Sequence, residues 1–131
     1  MSHRAAATSL RVLIADDSPP VQEMLAELVQ GPGGASVVGA SETEAATIEA
    51  IRRLKPDVVV LDLQLKGGSG TNVIRAVRSD PSLAATRLFV TSNHASAHMK
   101  AGCLELGADE YYDKVKDLGR LAARLSELAP R

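Results

Sequence analysis

Apolar runs of strand length alternate with helix-period segments along this chain, and that alternation limits its fold more than any other feature. Five such runs can be read in order: LRVLIA, SVVGA, VVVL, RLFV and EYY. Strands that are separated by helices run parallel, because each helix returns the chain to the same edge of the sheet. The sequence therefore predicts an α/β fold in which helices cover both faces of a five-stranded parallel sheet.

The third run identifies the centre of the sheet. Residues 57–62 read DVVVLD, so apolar side chains occupy consecutive positions, as in a strand that is buried on both faces. Right-handed crossovers leave two common ways to wind five such strands, and order 2-1-3-4-5 fits best. We therefore expect strands one and three to be neighbours, with the functional site at the end of the sheet where they meet.

Polar residues follow the strands at that end of the sheet. Asp16 and Asp17 follow the first strand, Asp62 the third, Thr91 the fourth and Lys114 the fifth. Three carboxylates at close range need a counter-charge, and their oxygen ligands suit Mg²⁺, with Mn²⁺ as the alternative cation. We expect Asp62 to be a nucleophile that forms an acyl phosphate, while Thr91 and Lys114 neutralise the charge of the transferred group.

Composition narrows the classes of function. A chain of 131 residues with 45% hydrophobic residues suits one domain, expected over residues 10–129 after a flexible segment of residues 1–9 and without an effector domain. The net charge of -1 argues against direct nucleic-acid binding. The single cysteine excludes an internal disulfide, and no apolar run approaches the roughly 20 residues that cross a bilayer. We expect a cytoplasmic location without membrane insertion.

The motifs around these residues resemble those of one family, the receiver domains of two-component response regulators, over residues 10–128. They are the pair Asp16-Asp17, KPDVVVLDLQL around Asp62, Gly70, VTS around Thr91, and LGADEYYDK leading to Lys114. The resemblance implies a flavodoxin-like (βα)5 fold. It also implies that Asp62 accepts a phosphoryl group from the phosphohistidine of a sensor histidine kinase or phosphotransfer protein. Such a protein is not an enzyme in the usual sense, although it promotes its own aspartyl phosphorylation and dephosphorylation.

The resemblance also implies a set of metal ligands. Asp17, Asp62 and the backbone carbonyl of Gln64 would bind Mg²⁺ directly, with Asp16 acting mainly through water. The amide side chain of Gln64 stands where family members govern the access of water to the phosphoryl group, and Asn93 holds the matching position after Thr91.

A switching mechanism is the third implication. In the family, the hydroxyl at the position of Thr91 moves toward the phosphoryl group, and an aromatic residue on strand five, here Tyr111, turns inward. The face formed by helix four, strand five and helix five would then control a downstream protein, with the receiver as a monomer or a phosphorylation-dependent dimer. A tyrosine on a short edge strand is as often surface cover, so both interpretations of Tyr111 stay open.

Two residues depart from the family pattern. Val115 follows Lys114 where a proline, often in a cis peptide, is usual, and a non-proline cis bond costs about 3–4 kcal/mol. We therefore predict a trans bond and a reshaped loop, in which Lys114 need not approach the phosphate as it does in the family. Lys66 also replaces a common proline after Asp62, and beside glycines it predicts a looser loop.

Local signals predict how individual helices begin and which residues they bury. Ser18 and Pro19 suit the start of the first helix, and Ser41 with Glu44 suits a capping box before the second. The fourth helix is expected to be lined by apolar and small residues at helical spacing: Ala95, Met99, Gly102, Cys103 and Leu106.

Other functions were weighed against the phosphoacceptor. A phosphorylation-independent adaptor with the same fold is the first alternative. A Mg²⁺-dependent phosphatase of the haloacid dehalogenase type is a weaker one, since that family needs an aspartate where this chain has Gln64. His94 and His98 are spaced to share a metal with Cys103, although such histidines are more often solvated.

Overall fold

The structure, a computed structural model, describes residues 9–31, 35–93 and 96–130. Its main sheet is parallel and has the order β2-β1-β3-β4-β5, which confirms the predicted order. The strands are β1 (Leu10–Ala15), β2 (Ala35–Ser41), β3 (Val58–Asp62), β4 (Arg87–Ser92) and β5 (Glu110–Asp113). The α-helices are α1 (Pro19–Val29), α2 (Glu44–Leu54), α3 (Gly70–Arg78), α4 (Ala97–Leu106) and α5 (Leu118–Leu128). Of the segment predicted to be flexible, residues 1–8 lie outside the described residues.

Successive residues of each strand face opposite layers of helices. On one face, Leu61 and Val90 pack with buried residues of α2, α3 and α4. On the other face, Val60 and Phe89 pack with buried residues of α1 and α5. All of β3 is buried, as predicted for the central strand. Among the described residues, no helix is both long enough and apolar enough to cross a membrane.

The helix starts follow the sequence signals in one case and depart from them in another. Ser18 caps α1 as predicted, accepting a hydrogen bond from the amide of Val21. The predicted capping box at Ser41 is wrong, because Ser41 is the last residue of β2 and Thr43 caps α2. The Ser41 hydroxyl instead makes a buried hydrogen bond to Thr47 at 2.6 Å.

Helix α4 buries less than its sequence predicts. Cys103 is its only buried residue, whereas Gly102 is exposed and Met99 is 40% exposed. An open groove between α4 and α3 is lined by residues along α4, among them Met99, Gly102 and Leu106. The remaining predicted position, Ala95, lies outside the described residues.

Candidate functional site

The carboxyl ends of β1 and β3 bring the three predicted carboxylates together. Strand pairing places Ala15 opposite Leu61, so the residues that follow lie side by side at this edge of the sheet. Asp16, Asp17 and Asp62 each offer an oxygen atom within 4.8 Å of the others. Asp16 and Asp62 are buried, and Asp17 is partly buried. Three carboxylates this close raise one another's pKa unless a counter-charge is present, and their oxygen atoms are suitable ligands for a divalent cation.

Lys114 reaches into this cluster from the end of β5. Its Nζ lies 3.0 Å from Oδ2 of Asp62, to which it donates a hydrogen bond. The same Nζ lies 2.6 Å from Oδ2 of Asp16 in an ion pair. The Lys114 side chain is only 8% exposed, so both ion pairs are shielded from water. One ammonium thus neutralises part of the charge of three carboxylates.

Burial and charge shift the pKa values of both partners. Burial raises the pKa of Asp62 above its ordinary value, and the nearby Asp16 carboxylate acts in the same direction. The Gln64 amide and the Lys114 ammonium oppose this rise without cancelling it. Burial alone would lower the pKa of Lys114, but the two carboxylates outweigh it, and the pKa is raised. Lys114 therefore stays charged, while the ionised form of Asp62 is disfavoured.

One buried oxygen atom at the site, Oγ1 of Thr91, is left without a hydrogen-bond partner among the described residues. Thr91 lies directly opposite Asp62 in the pairing of β3 with β4, and its side chain is fully buried. Buried polar groups are rarely left unmatched, so this hydroxyl indicates a ligand. The three carboxylates suit Mg²⁺, and the hydroxyl can donate to an anion.

Glycines shape the loop that follows Asp62. Gln64–Leu65 and Gly68–Ser69 form a short antiparallel hairpin, and the amide of Gln64 donates to Oδ1 of Asp62 at 3.1 Å. A Cβ on Gly70 would lie 2.5 Å from the carbonyl oxygen of Asp62, which leaves no room for a side chain there. Gln64 therefore lies next to Asp62, and the role of its carbonyl as a metal ligand stays a prediction.

The same loop is tied to α2, contrary to the looseness expected from Lys66. Nζ of Lys66 lies 2.6 Å from Oε1 of Glu42, and its backbone amide donates to the carbonyl of Glu42. Oε1 of Glu44 accepts hydrogen bonds from the Ser69 amide and the Asn72 side chain, each at 3.0 Å. These contacts join residues far apart in sequence, so local composition gave no signal for them.

Lys114 is well placed without the usual proline. All peptide bonds of the described residues are trans, which confirms the trans bond predicted between Lys114 and Val115. The amide of Lys114 donates to the carbonyl of Ser92 at 2.8 Å, which joins the loop to the end of β4. Lys114 contacts Asp62 directly from this loop, whereas its approach to a phosphoryl group stays a prediction.

Tyr111 points into the protein interior. It is 6% exposed and belongs to the core on the side of α2, α3 and α4, so it is not surface cover. The next residue, Tyr112, faces the opposite layer, 5.9 Å from the ring of Phe89 and beneath the guanidinium of Arg120. The switching role of Tyr111, which the resemblance implies, stays a prediction.

Gln22 is a supporting residue that sequence reasoning missed, and the predicted histidine–cysteine metal site is not assembled among the described residues. Nε2 of Gln22 donates to the carbonyls of Asp16 at 2.7 Å and Ser41 at 3.0 Å, joining the ends of β1 and β2. His94 lies outside the described residues. Within them, His98 and Cys103 belong to no group of three metal-ligating side chains.

Comparison with known proteins decides the family. Residues 12–126, most of the chain, match the response regulator receiver domain family. The chain belongs to that family. The receiver domain's fold is accordingly the flavodoxin-like arrangement that the sequence predicts.

Individual relatives agree with this assignment. The receiver domain is 36% identical over 115 residues to the DNA-binding response regulator MtrA of Mycolicibacterium smegmatis, covering 88% of this chain and 48% of MtrA. It is 34% identical over 111 residues to the nitrate/nitrite response regulator NarP of Escherichia coli, covering 85% of this chain and 51% of NarP. The chain thus spans about half the length of these curated relatives.

Solved structures give the same result. The signal receiver domain of the response regulator NarL from Mycobacterium tuberculosis superposes with a TM-score of 0.83 at 29% identity, covering 92% of this chain and 96% of that one. The BeF3-activated receiver domain of RstA from Klebsiella pneumoniae has a TM-score of 0.79 at 28% identity, and the match covers 91% of this chain and 97% of that one.

Proposed function

We propose that this receiver domain is a switch that is turned by phosphorylation of Asp62. The phosphoryl donor would be the phosphohistidine of a sensor histidine kinase or of a phosphotransfer protein. One observation carries the proposal: the Asp62 carboxylate is buried at the end of the central strand, beside two more carboxylates and 3.0 Å from the Lys114 ammonium. A nucleophile and the means to neutralise a phosphoryl group are thus in one place.

The chemistry is a transfer between two side chains. A carboxylate oxygen of Asp62 attacks phosphorus, and the bond between phosphorus and the donor imidazole nitrogen breaks, so that the electron pair stays on that nitrogen. Mg²⁺ at this site would supply charge neutralisation for the phosphoryl oxygens. Asp17, Asp62 and the carbonyl of Gln64 would hold it, with Asp16 acting through water. The Lys114 ammonium would pair with one phosphoryl oxygen.

Thr91 would connect phosphorylation to the output face. Its buried hydroxyl has no hydrogen-bond partner among the described residues, so a phosphoryl oxygen on the opposed Asp62 offers the first acceptor. Tyr111 lies on the neighbouring strand, opposite Val90. We infer that movement of Thr91 alters the packing of Tyr111 and thereby the face formed by α4, β5 and α5. That face would bind a downstream protein, with the receiver as a monomer or a phosphorylation-dependent dimer.

Three further inferences complete the proposal. Residues 10–129 would act as the phosphorylated unit, which promotes its own phosphorylation and dephosphorylation and is not an enzyme in the usual sense. The cytoplasmic location expected from the sequence stays a prediction. MtrA is named a DNA-binding response regulator, but a net charge of -1 supports the inference that this chain itself does not contact nucleic acid.

Intact-protein mass spectrometry tests the proposal. The protein is incubated with acetyl phosphate, with and without Mg²⁺, as wild type, as Asp62→Asn and as Asp57→Asn. Asp57 precedes the same strand at its opposite end and is exposed, so its variant is a matched control. We expect one labile phosphoryl adduct that requires Mg²⁺, is lost in Asp62→Asn and is kept in Asp57→Asn. A folded wild type that forms no adduct would favour the phosphorylation-independent adaptor instead.

A further inference from the structure

We propose that Asp113 is the positioning residue that holds Lys114 against Asp62. This inference rests on the proposed function, because it assigns Asp113 a part in phosphorylation through Lys114. Asp113 ends β5 and is buried. Its carboxylate is directed at the backbone of its own loop.

The Asp113 carboxylate binds the backbone just beyond Lys114. Its Oδ1 accepts hydrogen bonds from the amide of Val115 at 2.7 Å and from the amide of Lys116 at 2.9 Å. Both distances are those of well-formed N–H···O hydrogen bonds. One side chain therefore fixes the two peptide units that follow Lys114.

A second aspartate closes the same loop from its far end. Oδ2 of Asp117 accepts from the amide of Asp113 at 2.9 Å, and the amide of Asp117 donates to the carbonyl of Asp113 at 3.0 Å. Asp117 stands at the cap position of α5 but makes no capping hydrogen bond with its side chain. Both aspartates thus hold the backbone of the loop, which meets β4 through the hydrogen bond from the Lys114 amide to the Ser92 carbonyl.

This arrangement explains how Lys114 is placed without proline. Val115 is 79% exposed, so its side chain contributes little packing that could fix the loop. A proline would restrict the backbone through its ring and would remove the amide that Asp113 binds. Here the carboxylate satisfies that amide, and the two hydrogen bonds supply the restriction. The Lys114 side chain can then point inward from a fixed backbone.

Two substitutions test the proposal by separating the charge of the Asp113 side chain from the position of its oxygen atoms. Asp113→Asn keeps the Oδ1 acceptor in place but removes the charge, whereas Asp113→Glu keeps the charge and moves the carboxylate out by one methylene. We expect Asp113→Asn to be phosphorylated within about twofold of the wild-type rate with acetyl phosphate and Mg²⁺, and Asp113→Glu to be slower by about tenfold. Lys116→Ala is the matched control, because its exposed side chain leaves while its amide remains. The reverse order, with Glu fast and Asn slow, would overturn the proposal.

A double-mutant comparison separates positioning from general damage. In the Lys114→Ala background, Asp113→Glu should cause no further loss of rate, since nothing remains for Asp113 to position. An equal loss in both backgrounds would show that Asp113 acts without Lys114, and the proposal would fall.

Amide hydrogen exchange tests the same contacts without metal or phosphate. In the wild-type protein and in Asp113→Asn, the amides of Val115 and Lys116 should be protected, and in Asp113→Glu their exchange should be faster by about tenfold. Equal protection in all three proteins would refute the proposed role of Asp113. This readout stands even if the wild type forms no phosphoryl adduct, so failure of the proposed function and failure of this inference are distinguishable.

Discussion

At the residue scale, Thr91 and Thr47 are two buried hydroxyls in opposite situations. Thr91 Oγ1 has no hydrogen-bond partner among the described residues. Thr47 Oγ1 is equally buried but bonds the Ser41 hydroxyl at 2.6 Å and donates to the Thr43 carbonyl at 2.7 Å. An unmatched buried hydroxyl costs stability, so its retention at the site indicates a role in binding.

Replacing each threonine by valine should therefore have opposite effects on stability. Thr91→Val removes an unmatched hydroxyl and should leave the free energy of unfolding unchanged or raise it by about 1 kcal/mol. Thr47→Val breaks two hydrogen bonds and should lower the same quantity by about 1–2 kcal/mol. Urea unfolding measures both, and an equal loss in the two variants would contradict the assignment of Thr91. Phosphorylation should slow in Thr91→Val alone.

The raised pKa of Asp62 predicts a pH-dependent effect of Asp62→Asn on stability. Above its raised folded pKa, the charged Asp62 disfavours the folded state, so Asp62→Asn should be more stable than wild type at neutral pH. As pH falls through that pKa toward the ordinary value of 3.8, the folded state takes up a proton before the unfolded state does. The advantage of the variant should then shrink. Urea unfolding of both proteins between neutral pH and pH 3.8 measures the difference in their free energies of unfolding. A difference that grows in favour of the variant as pH falls would contradict the raised pKa of Asp62.

At the element scale, the loop between β3 and α3 depends on glycine where backbones approach closely. Gly70→Ala would place a Cβ 2.5 Å from the carbonyl oxygen of Asp62, so it should lower the free energy of unfolding by about 2 kcal/mol. Gly102→Ala is the control, since its Cβ meets no atom within 4 Å and α4 is a helix. Gly102→Ala should raise the free energy of unfolding by about 0.5–1 kcal/mol. Thermal or urea unfolding measures both changes. If Gly70→Ala is as stable as the wild type, the loop can move far enough to relieve the contact with the Asp62 carbonyl oxygen, which would contradict this prediction.

Comparison of the predicted and observed elements shows which features of the fold the sequence alone could predict. Alternating strand and helix periods predicted the sheet order, and strand ends predicted that Asp16, Asp62 and Lys114 would meet. The contacts of Asp113 and Glu44 could not be predicted, because a carboxylate that binds backbone amides depends on loop conformation rather than on periodicity. The capping box at Ser41 failed for a related reason, since pairing with β1 extended β2 to that residue.

At the scale of the whole molecule, Mg²⁺ should stabilise the fold. The carboxylates of Asp16, Asp17 and Asp62 come together only when β1 and β3 pair, so the unfolded chain has no such site. A ligand of the folded state alone adds about 2.7 kcal/mol at a hundredfold excess over Kd. The melting temperature should rise with Mg²⁺ in the wild type and much less in Asp17→Asn. An equal rise in both would contradict the ligand set.

Phosphorylation of Asp62 is the property on which the proposed function depends most. The most direct measurement is borohydride trapping after incubation with acetyl phosphate and Mg²⁺, followed by peptide sequencing in the mass spectrometer. Borohydride reduces an acyl phosphate to an alcohol, so we expect residue 62, and no other aspartate, to be converted to homoserine. Conversion at Asp16 or Asp17 instead, or no conversion in the folded wild-type protein, would contradict it.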